Sequence, residues 1–456
     1  MQGVSDLAHA EAFLASNPSV NLVELLIADN FGVLRGKRIS REKLTSVICD
    51  GALFPESVFG LDFSGDTIEA TGLGVDRGDL DHVCRAVPAS LVAVPWNSDG
   101  LGQLQMVMSG PDNGGFFADP RHVLATVVKH CTEAGVFPVT AMELEFYLLD
   151  ADATKDGQPQ APIGATSTTR PHGTQVYGLE DLQDRAAVFD SILSAASCQN
   201  IPVDTIVAEN APSQFEVNLK HVADPLKAAD HAVLLKRLIK GVARQHGLRA
   251  TFMAKPFIDL AGNGAHVHIS LLDGKGENLF QESADGTMSA YLQQAIAGLQ
   301  VTMPESFALL MPTPNSYKRF DGQHYAPLHP QWGFNNRTTA FRIPAGPANA
   351  RRVEHRVAGA DANPYLVITA ALTGILHGIA QQLQPTAAIT GNGYNQAPFS
   401  RPNAAVLATN FSDAEYITKY LPNGFKDVYL ACLEAEQNRF RRHITAFEYD
   451  WYLGSA

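Results

Sequence analysis

The segment TAMELEFYLL places two glutamates, Glu143 and Glu145, in a run that is otherwise apolar. Side chains of a β-strand alternate between its two faces, so residues two apart project in the same direction. A strand with one solvated polar face accounts for this spacing. Burial of both carboxylates instead needs cations close by. The chain must therefore either leave this face exposed or bring positive charge to it.

A second segment, GNGAHVHIS, repeats the strand spacing with His266 and His268. Taken alone, these imidazoles are as consistent with a hydrogen-bonded structural pair as with a binding site. The flanking glycines, Gly262 and Gly264, favour a site because they permit close approach of the backbone to a ligand.

Two more segments carry charged residues at related spacings. RRVEHRV contains Arg352, Glu354 and Arg356, which alone is typical of a surface ion-pair ladder. AENAPSQFEVNL places Glu209 before a turn and Glu216 within a strand. We expect all four segments to share one face of a sheet.

This combination of side chains points to metal-assisted phosphoryl transfer. Mg²⁺ prefers carboxylate oxygens, and Mn²⁺ also accepts imidazole. Arg319, Arg337 and Arg342 add planar guanidinium groups that bind carboxylate or phosphate. Two ions with several arginines suit a transferring phosphoryl group. The chain has no Walker A loop and no G-x-G-x-x-G after a strand, which disfavours a P-loop or dinucleotide-binding fold.

The order of predicted elements indicates an α+β fold, because strands and long helices follow each other without a βαβ rhythm. Of the 456 residues 45% are apolar and 18% charged, which excludes a disordered chain. Residues 50–110 are rich in Gly, Pro and Asp between short strands, and GPDNGG ends that pattern. We therefore predict a small, mostly β domain over residues 1–110 and a larger domain over 111–456.

Periodicity predicts the main elements. A short helix is expected at 6–17, two strands around a turn at 21–39, and a helix from Pro120. Further helices are predicted near 178–199, 224–247, 287–308, 361–383 and 425–441. Further strands are predicted near 138–149, 214–219, 249–254, 264–271, 337–343 and 351–357. Residues 151–177 and 385–403 are expected to be loops.

Charge and cysteine content narrow the class of protein. The 34 Lys and Arg against 47 Asp and Glu give a net charge of −13, which argues against nucleic-acid binding. The five cysteines form no C-x-x-C motif and suggest reduced thiols. No signal peptide and no apolar run of ~18 residues is evident. We expect a cytoplasmic protein without nucleic-acid or membrane partners.

Taken together, these segments resemble the glutamine synthetase family over nearly the whole chain. ELEFYLL is similar to the family's E-x-E strand, and AENAPSQFE to its E-x-x-P-G-Q-x-E segment, with Ser213 where Gly is usual. GNGAHVHIS, PNSYKRF, NNRTTAFRIP and ARRVEHR…ANPYL resemble the other family blocks. The resemblance implies an N-terminal β-grasp domain and a catalytic domain whose antiparallel sheet lines the active site.

The resemblance also implies roles for individual residues. Two to three divalent ions, Mg²⁺ or Mn²⁺, would be bound by one set of Glu145, Glu209 and Glu216 and another of Glu143, His266 and Glu354. ATP would contact Asp204, His268, Ser270, Arg337, Arg342 and Arg352. Glutamate would contact Gly262, Arg319, Arg337 and Arg356. Arg319, Arg337 and Tyr325 would take part in catalysis, with Arg337 bridging the transferring phosphate and the acyl oxygen.

One departure from the family bears on the substrate. True glutamine synthetases have G-Y-E-A-P after N-S-Y-K-R, and its Glu helps to bind ammonium. Here GQHYAP places Tyr325 at that position, and a phenol is neutral near pH 7. LFPESVFGLD and HPQWGFNNRT resemble γ-glutamylputrescine and related γ-glutamylamine synthetases. This implies an ATP-dependent ligase that joins the γ-carboxylate of L-glutamate to a polyamine or to a bulky or aromatic monoamine, through γ-glutamyl phosphate.

Several alternatives stay open at this level. Candidate amine-pocket residues are Glu56, Asp62, Tyr325 and Trp332. Candidate bases for the amine are Asp321, His324 and Glu56, with proton loss to water or phosphate as the alternative. A true glutamine synthetase using ammonia and a non-catalytic amine sensor are the rival functions. The resemblance further implies a homo-dodecamer of two stacked hexameric rings with active sites between subunits.

Overall fold

The structure, a computed structural model, describes residues 2–112, 114–152, 154–155, 158–173, 175–322, 324–395 and 403–456. Strands and helices are mixed along the chain, and two large sheets are built mainly from antiparallel pairs. The predicted α+β class is thereby confirmed. The predicted division at residue 110 stays a prediction.

The first sheet comes from the N-terminal part of the chain. Its strands are β1 (Leu22–Ala28), β2 (Leu34–Ser40), β3 (Ala52–Pro55), β4 (Asp81–Ala86), β5 (Val92–Ala93) and β6 (Leu101–Met108). Their order is β2-β1-β6-β4-β3, with β5 paired to β6. β1 and β6 run parallel, whereas β1 and β2 form an antiparallel hairpin. The hairpin turn is set by Asp29, whose Oδ1 accepts from the amides of Phe31 and Val33, both at 2.9 Å.

The second sheet belongs to the larger part of the chain. Its strands are β7 (Phe137–Asp150), β10 (Val203–Ala208), β11 (Gln214–Leu219), β12 (Leu248–Thr251), β13 (Ala265–Leu272), β14 (Trp332–Phe334), β15 (Phe341–Ile343) and β16 (Val353–His355). The order is β10-β11-β7-β13-β16-β15-β14, with β12 also paired to β7. A short hairpin of β8 (Thr154–Lys155) and β9 (Gln158–Pro159) lies apart from it.

Eleven α-helices occur in the described part of the chain. They are α1 (Gln2–Ser16), α2 (Leu44–Asp50), α3 (Pro120–Glu133), α4 (Leu179–Gln183), α5 (Ala186–Cys198), α6 (Pro225–Gln245), α7 (Ala290–Leu310), α8 (Pro364–Ala380), α9 (Ala404–Ser412), α10 (Phe425–Arg442) and α11 (Ala446–Tyr452). Among them none is long and apolar enough to cross a membrane.

Helices α7 and α8 pack with their backbones in contact. A Cβ atom at Gly298 would lie 2.1 Å from the Gly374 carbonyl oxygen, and one at Gly378 would lie 1.9 Å from that of Gln294. These helices can approach so closely only because the contact positions lack side chains. The N-terminus of α8 also meets the first sheet, since Asn363 Nδ2 donates to the Asp29 carbonyl at 2.9 Å.

The predicted elements differ from the observed ones mainly at their ends. Strand 337–343 is shorter than predicted, because residues 337–340 turn and only Phe341–Ile343 pairs; the strand Trp332–Phe334 was not predicted. Helix 178–199 is divided into α4 and α5. The predicted loop 151–177 contains the β8–β9 hairpin, and the predicted loop 385–403 lies partly outside the described residues.

Candidate active site

The central strands of the second sheet carry the ionisable residues on one face. The directly opposed pairs are Glu145 with Glu216, Glu143 with His266, and His268 with Glu354. Residues opposed in a ladder project to the same side of the sheet. The alternation predicted from the sequence therefore brings four separate segments together.

Glu145, Glu209 and Glu216 form an acidic cluster at one side of this face. One carboxylate oxygen from each lies within 4.8 Å of the others. Burial, reinforced by the charge of Glu145, raises the pKa of Glu209 to about 8. Burial and the neighbouring glutamates also raise the pKa of Glu216 well above its ordinary value. A divalent cation would relieve this repulsion, so the donor set fits a hard metal ion.

A tight turn brings Glu209 into that cluster. The Glu209 amide donates to the Gln214 carbonyl at 2.8 Å, and Ser213 within the turn has φ 63°. This left-handed conformation is easy for glycine and costly for other residues. The backbone explains why a glycine would suit the position that Ser213 occupies.

Glu143 joins two further donor groups. One contains His266 and Glu216, the other His268 and Glu354, and in each the donor atoms lie within 4.8 Å of one another. His266 Nδ1 lies 3.2 Å from Glu143 Oε2, and His268 Nε2 lies 2.9 Å from Glu143 Oε1. Burial favours the neutral acid, but His268 and His266 outweigh it and hold the pKa of Glu143 well below its ordinary value.

These two triads differ from the set predicted for a second ion. That set combined Glu143, His266 and Glu354, and His266 Nδ1 does lie 4.0 Å from Glu354 Oε1. The structure adds His268 to the possible metal ligands. Glu216 belongs both to the acidic cluster with Glu145 and Glu209 and to the group with Glu143 and His266. The face therefore offers three overlapping donor groups.

Glu354 is also held by two arginines. Arg342 Nη1 donates to Glu354 Oε2 at 2.6 Å, and Arg356 Nη1 donates to Oε1. Burial opposes ionisation, but the charge of Arg356 and the two histidines lower the pKa of Glu354 to about 2. This carboxylate is thus ionised and already surrounded by cations.

Arg319 lies against the glycine-containing end of β13. Its guanidinium is buried, with Nη1 donating to the Val357 carbonyl at 2.7 Å. A Cβ at Gly264 would lie 2.8 Å from Arg319 Nη2, and a Cβ at Gly262 would lie 2.8 Å from its Cγ. Both glycines leave space that the Arg319 side chain occupies. The sequence predicted instead that they allow close approach of the backbone to a ligand, and that stays a prediction.

A cavity of about 360 Å³ lies above the acidic face. Its lining includes Glu143, Glu145, Glu209, Glu216, Gly262, His266, Arg319, His324, Tyr325, Arg337, Arg342, Glu354 and Arg356. Tyr325 and Arg337 also line an adjoining cavity of about 520 Å³, together with Phe334, Asn335 and Ile389. The two cavities thus share part of their lining. Of the residues that line the second cavity in the described part of the chain, Arg337 is the one that carries a formal charge.

The residues predicted to contact a nucleotide continue along β13 and β16. Arg352 Nε donates to His268 Nδ1 at 3.1 Å, and Ser270 lies two residues beyond His268. His221, which sequence reasoning missed, has its ring centroid 5.8 Å from that of His268. Asp204 is exposed on β10 and adds charge near His221. No local sequence signal singles out His221.

Three of the predicted amine-pocket residues are absent from the described lining of these cavities. Trp332 is buried, and its Nε1 donates to the Thr386 carbonyl at 2.7 Å, so it is a core residue. Glu56 lies in the first sheet region, 3.3 Å from His82 Nε2. Asp62 pairs with Arg439 at 2.7 Å. Within one chain, only Tyr325 of the four reaches the site.

Residues 117–452 match the glutamine synthetase catalytic-domain family. The chain belongs to the glutamine synthetase family. Its glycine-flanked histidines and its paired glutamates lie within that range.

Three relatives show the range of similarity. The chain is 40% identical over 456 residues to γ-glutamylputrescine synthetase PuuA of Escherichia coli, covering 100% of this chain and 96% of that protein. It is 32% identical over 376 residues to glutamate–isopropylamine ligase of a Pseudomonas species, covering 80% of each. The solved GmaS/ADP complex has a TM-score of 0.83 at 26% identity and covers 98% of this chain and 99% of that one.

Proposed function

We propose that this protein is an ATP-dependent ligase that joins the γ-carboxylate of L-glutamate to a primary amine larger than ammonia. The observation that carries the proposal is one cavity that is lined by members of three overlapping metal-donor groups and by Arg319, Arg337 and Arg356. Such an arrangement can bind a carboxylate and a phosphoryl group next to each other.

Arg319 and Arg356 would hold glutamate, since both are buried cations that line the cavity. Arg337 is exposed and lines both cavities, so it can reach a transferring phosphoryl group and the acyl oxygen. An arginine at this place would stabilise charge that develops during transfer.

Two to three Mg²⁺ or Mn²⁺ ions are part of the proposal. The pKa values of Glu209 and Glu216 are raised because burial and the neighbouring glutamates outweigh the charge of Arg356, so a bound cation would favour the ionised carboxylates. When bound, such ions would neutralise the phosphates of ATP. His268, Ser270, Arg342 and Arg352 would hold the nucleotide along β13 to β16.

The amine would enter through the adjoining cavity, where Tyr325 and Phe334 supply apolar surface. Putrescine is our first candidate, because the relative that matches the whole chain at 40% identity is a γ-glutamylputrescine synthetase. Isopropylamine is the second, from the 32% identical ligase.

We also propose a cytoplasmic homo-dodecamer of two hexameric rings. In such a ring a neighbouring subunit could bring its Glu56 and Asp62 to this site, which would give these buried carboxylates the amine-binding role that a single chain does not give them. Light scattering on a size-exclusion column tests this, and an active monomer would contradict it.

The function is tested by ADP release with ATP, Mg²⁺ and glutamate against putrescine, isopropylamine, ethanolamine and ammonia. We expect kcat/KM for one organic amine to exceed that for ammonia by roughly tenfold or more. Best turnover with ammonia would identify a true glutamine synthetase. Absence of turnover with every amine would favour the non-catalytic alternative.

A further inference from the structure

The proposed reaction needs a base that removes a proton from the amine. Alkylamines are protonated near pH 7, and only the free amine has the lone pair that attacks an acyl carbon. Tyr325 stands where a carboxylate would accept that proton in true glutamine synthetases, and a phenol is a poor base at this pH. The following inference rests on the proposed function and adds this proton acceptor.

Asp321, His324 and Lys255 form a chain of contacts beside the cavity. His324 Nδ1 lies 3.1 Å from Asp321 Oδ2, and the same oxygen accepts from Lys255 Nζ at 2.9 Å. Lys255 is 3% exposed and also donates to the Leu260 carbonyl at 2.7 Å. The buried ammonium fixes the carboxylate, and the carboxylate in turn favours the tautomer with hydrogen on Nδ1.

This tautomer leaves Nε2 of His324 with a free lone pair. His324 lines the same cavity as Arg319, Arg356 and Glu145. The backbone holds it there in an unusual way, because His324 and Tyr325 have φ values of 55° and 54°. Two consecutive left-handed residues other than glycine are costly and typical of functional sites.

We propose that His324, positioned by Asp321, is the general base that deprotonates the amine. Nε2 takes one proton from the ammonium group of the substrate and becomes imidazolium. The amine lone pair then forms the C–N bond with the γ-acyl carbon of γ-glutamyl phosphate. The bond from that carbon to the phosphate oxygen breaks, and the leaving phosphate keeps the electron pair and accepts the second nitrogen proton.

The other candidate bases are placed less well. Glu56 is paired with His82 within its own chain. Asp321 faces Lys255 and His324 and so serves as a positioning residue. Asp321 contacts His324 directly and Lys255 contacts Asp321. The other charged or titratable groups that line the same cavity are Glu143, Glu145, Tyr177, Glu209, Glu216, His266, Arg319, Tyr325, Arg337, Arg342, Glu354 and Arg356.

The test compares two amines in the full-length protein. His324→Gln should lower kcat/KM for putrescine by roughly 100-fold to 10,000-fold, the range for loss of a general base. Hydroxylamine is a free base near neutral pH, so its kcat/KM should change by less than roughly threefold. Asp321→Asn should show the same selective loss to a smaller extent, and His9→Gln, at an exposed position on α1, should behave as wild type.

A second measurement separates this inference from the proposed function. A single turnover of ATP with glutamate and no amine reports the first half-reaction, and His324→Gln should leave its ADP burst intact. Equal loss with both amines, an unchanged putrescine rate, or a lost ADP burst would each overturn the role of His324. If wild-type protein ligates no amine, the proposed function fails instead.

Discussion

Substitution of Gly264 by alanine probes the fit between Arg319 and the acidic face. The added Cβ would lie 2.8 Å from Arg319 Nη2, 3.1 Å from His266 Nε2 and 3.4 Å from Glu145 Oε2. Gly264 has no left-handed φ, so alanine strains no backbone dihedral there. The substitution therefore tests only the space that the missing side chain leaves.

The size of the effect follows from how tightly Arg319 is held. Ordinary contact begins at 3.4 Å, so the guanidinium must move by about 0.6 Å. It is 4% exposed and bonded to the Val357 carbonyl, so it cannot swing into solvent. A displacement of about 1 Å at a reacting group can cost 100-fold in rate. We expect kcat/KM for glutamate to fall roughly 10-fold to 100-fold, about 1.4 to 2.7 kcal/mol.

The assay is ADP release at saturating ATP and amine, with glutamate varied. Gly274→Ala is the matched control, because no heavy atom lies within 4 Å of its Cβ position and its φ is not left-handed. The control should stay within roughly twofold of wild type. If Gly264→Ala also stayed within that range, the steric argument and the glutamate-binding role of Arg319 would both be refuted.

Three further predictions concern the acidic clusters. Glu145→Gln removes one hard ligand and its charge, so turnover should fall by roughly 100-fold or more at saturating Mg²⁺; near-normal turnover would contradict the metal role. Burial and Glu145 raise the pKa of Glu209 from its ordinary value of 4.5 to about 8 in the folded protein. The contribution of this group to the stability of the metal-free fold is therefore fully present below pH 4.5 and is lost as the pH rises through 8. Mg²⁺ competes with the bound proton and should raise Tm, relative to EDTA, more at about pH 8 than at about pH 6; the reverse order would show that these carboxylates do not bind it. Ser213→Gly should raise the free energy of unfolding by about 0.5 to 1 kcal/mol in a denaturant titration. The reason is that it removes a serine from a left-handed backbone position and removes a buried hydroxyl that has no partner among the described residues. A loss of stability would show that the hydroxyl has a structural role.

Local periodicity accounts for much of the fold and for the acidic face. Strands that carry Glu143, Glu145, His266 and Glu354 could be placed from the sequence, because alternation determines which side chains share a side. The pairing register of these strands follows once that common face is buried, because a slip of one residue would turn every side chain of a strand to the opposite face. The family resemblance implied which of these residues bind metal, nucleotide or glutamate, and periodicity alone does not provide that information.

Other parts of the site depend on contacts between distant segments. The grouping of His268 with Glu143 depends on side-chain rotamers. The position of His221 depends on the segment after β11, where Val222 bridges to Thr140 of β7. Lys255 reaches Asp321 across 66 residues of chain. Trp332 could not be distinguished from a pocket residue, because aromatic side chains serve cores and binding sites alike.

The backbone contact between α7 and α8 limits where new specificity can arise in this protein. A larger residue at Gly298, Gly374 or Gly378 would push the two helices apart. That displacement would reach the turn with Arg319, which follows α7, and the Asn363 contact to the first sheet, which begins α8. Mutational libraries for new amines should therefore leave these three glycines unchanged and vary the wall around Phe334 and Ile389, where a change of shape stays local.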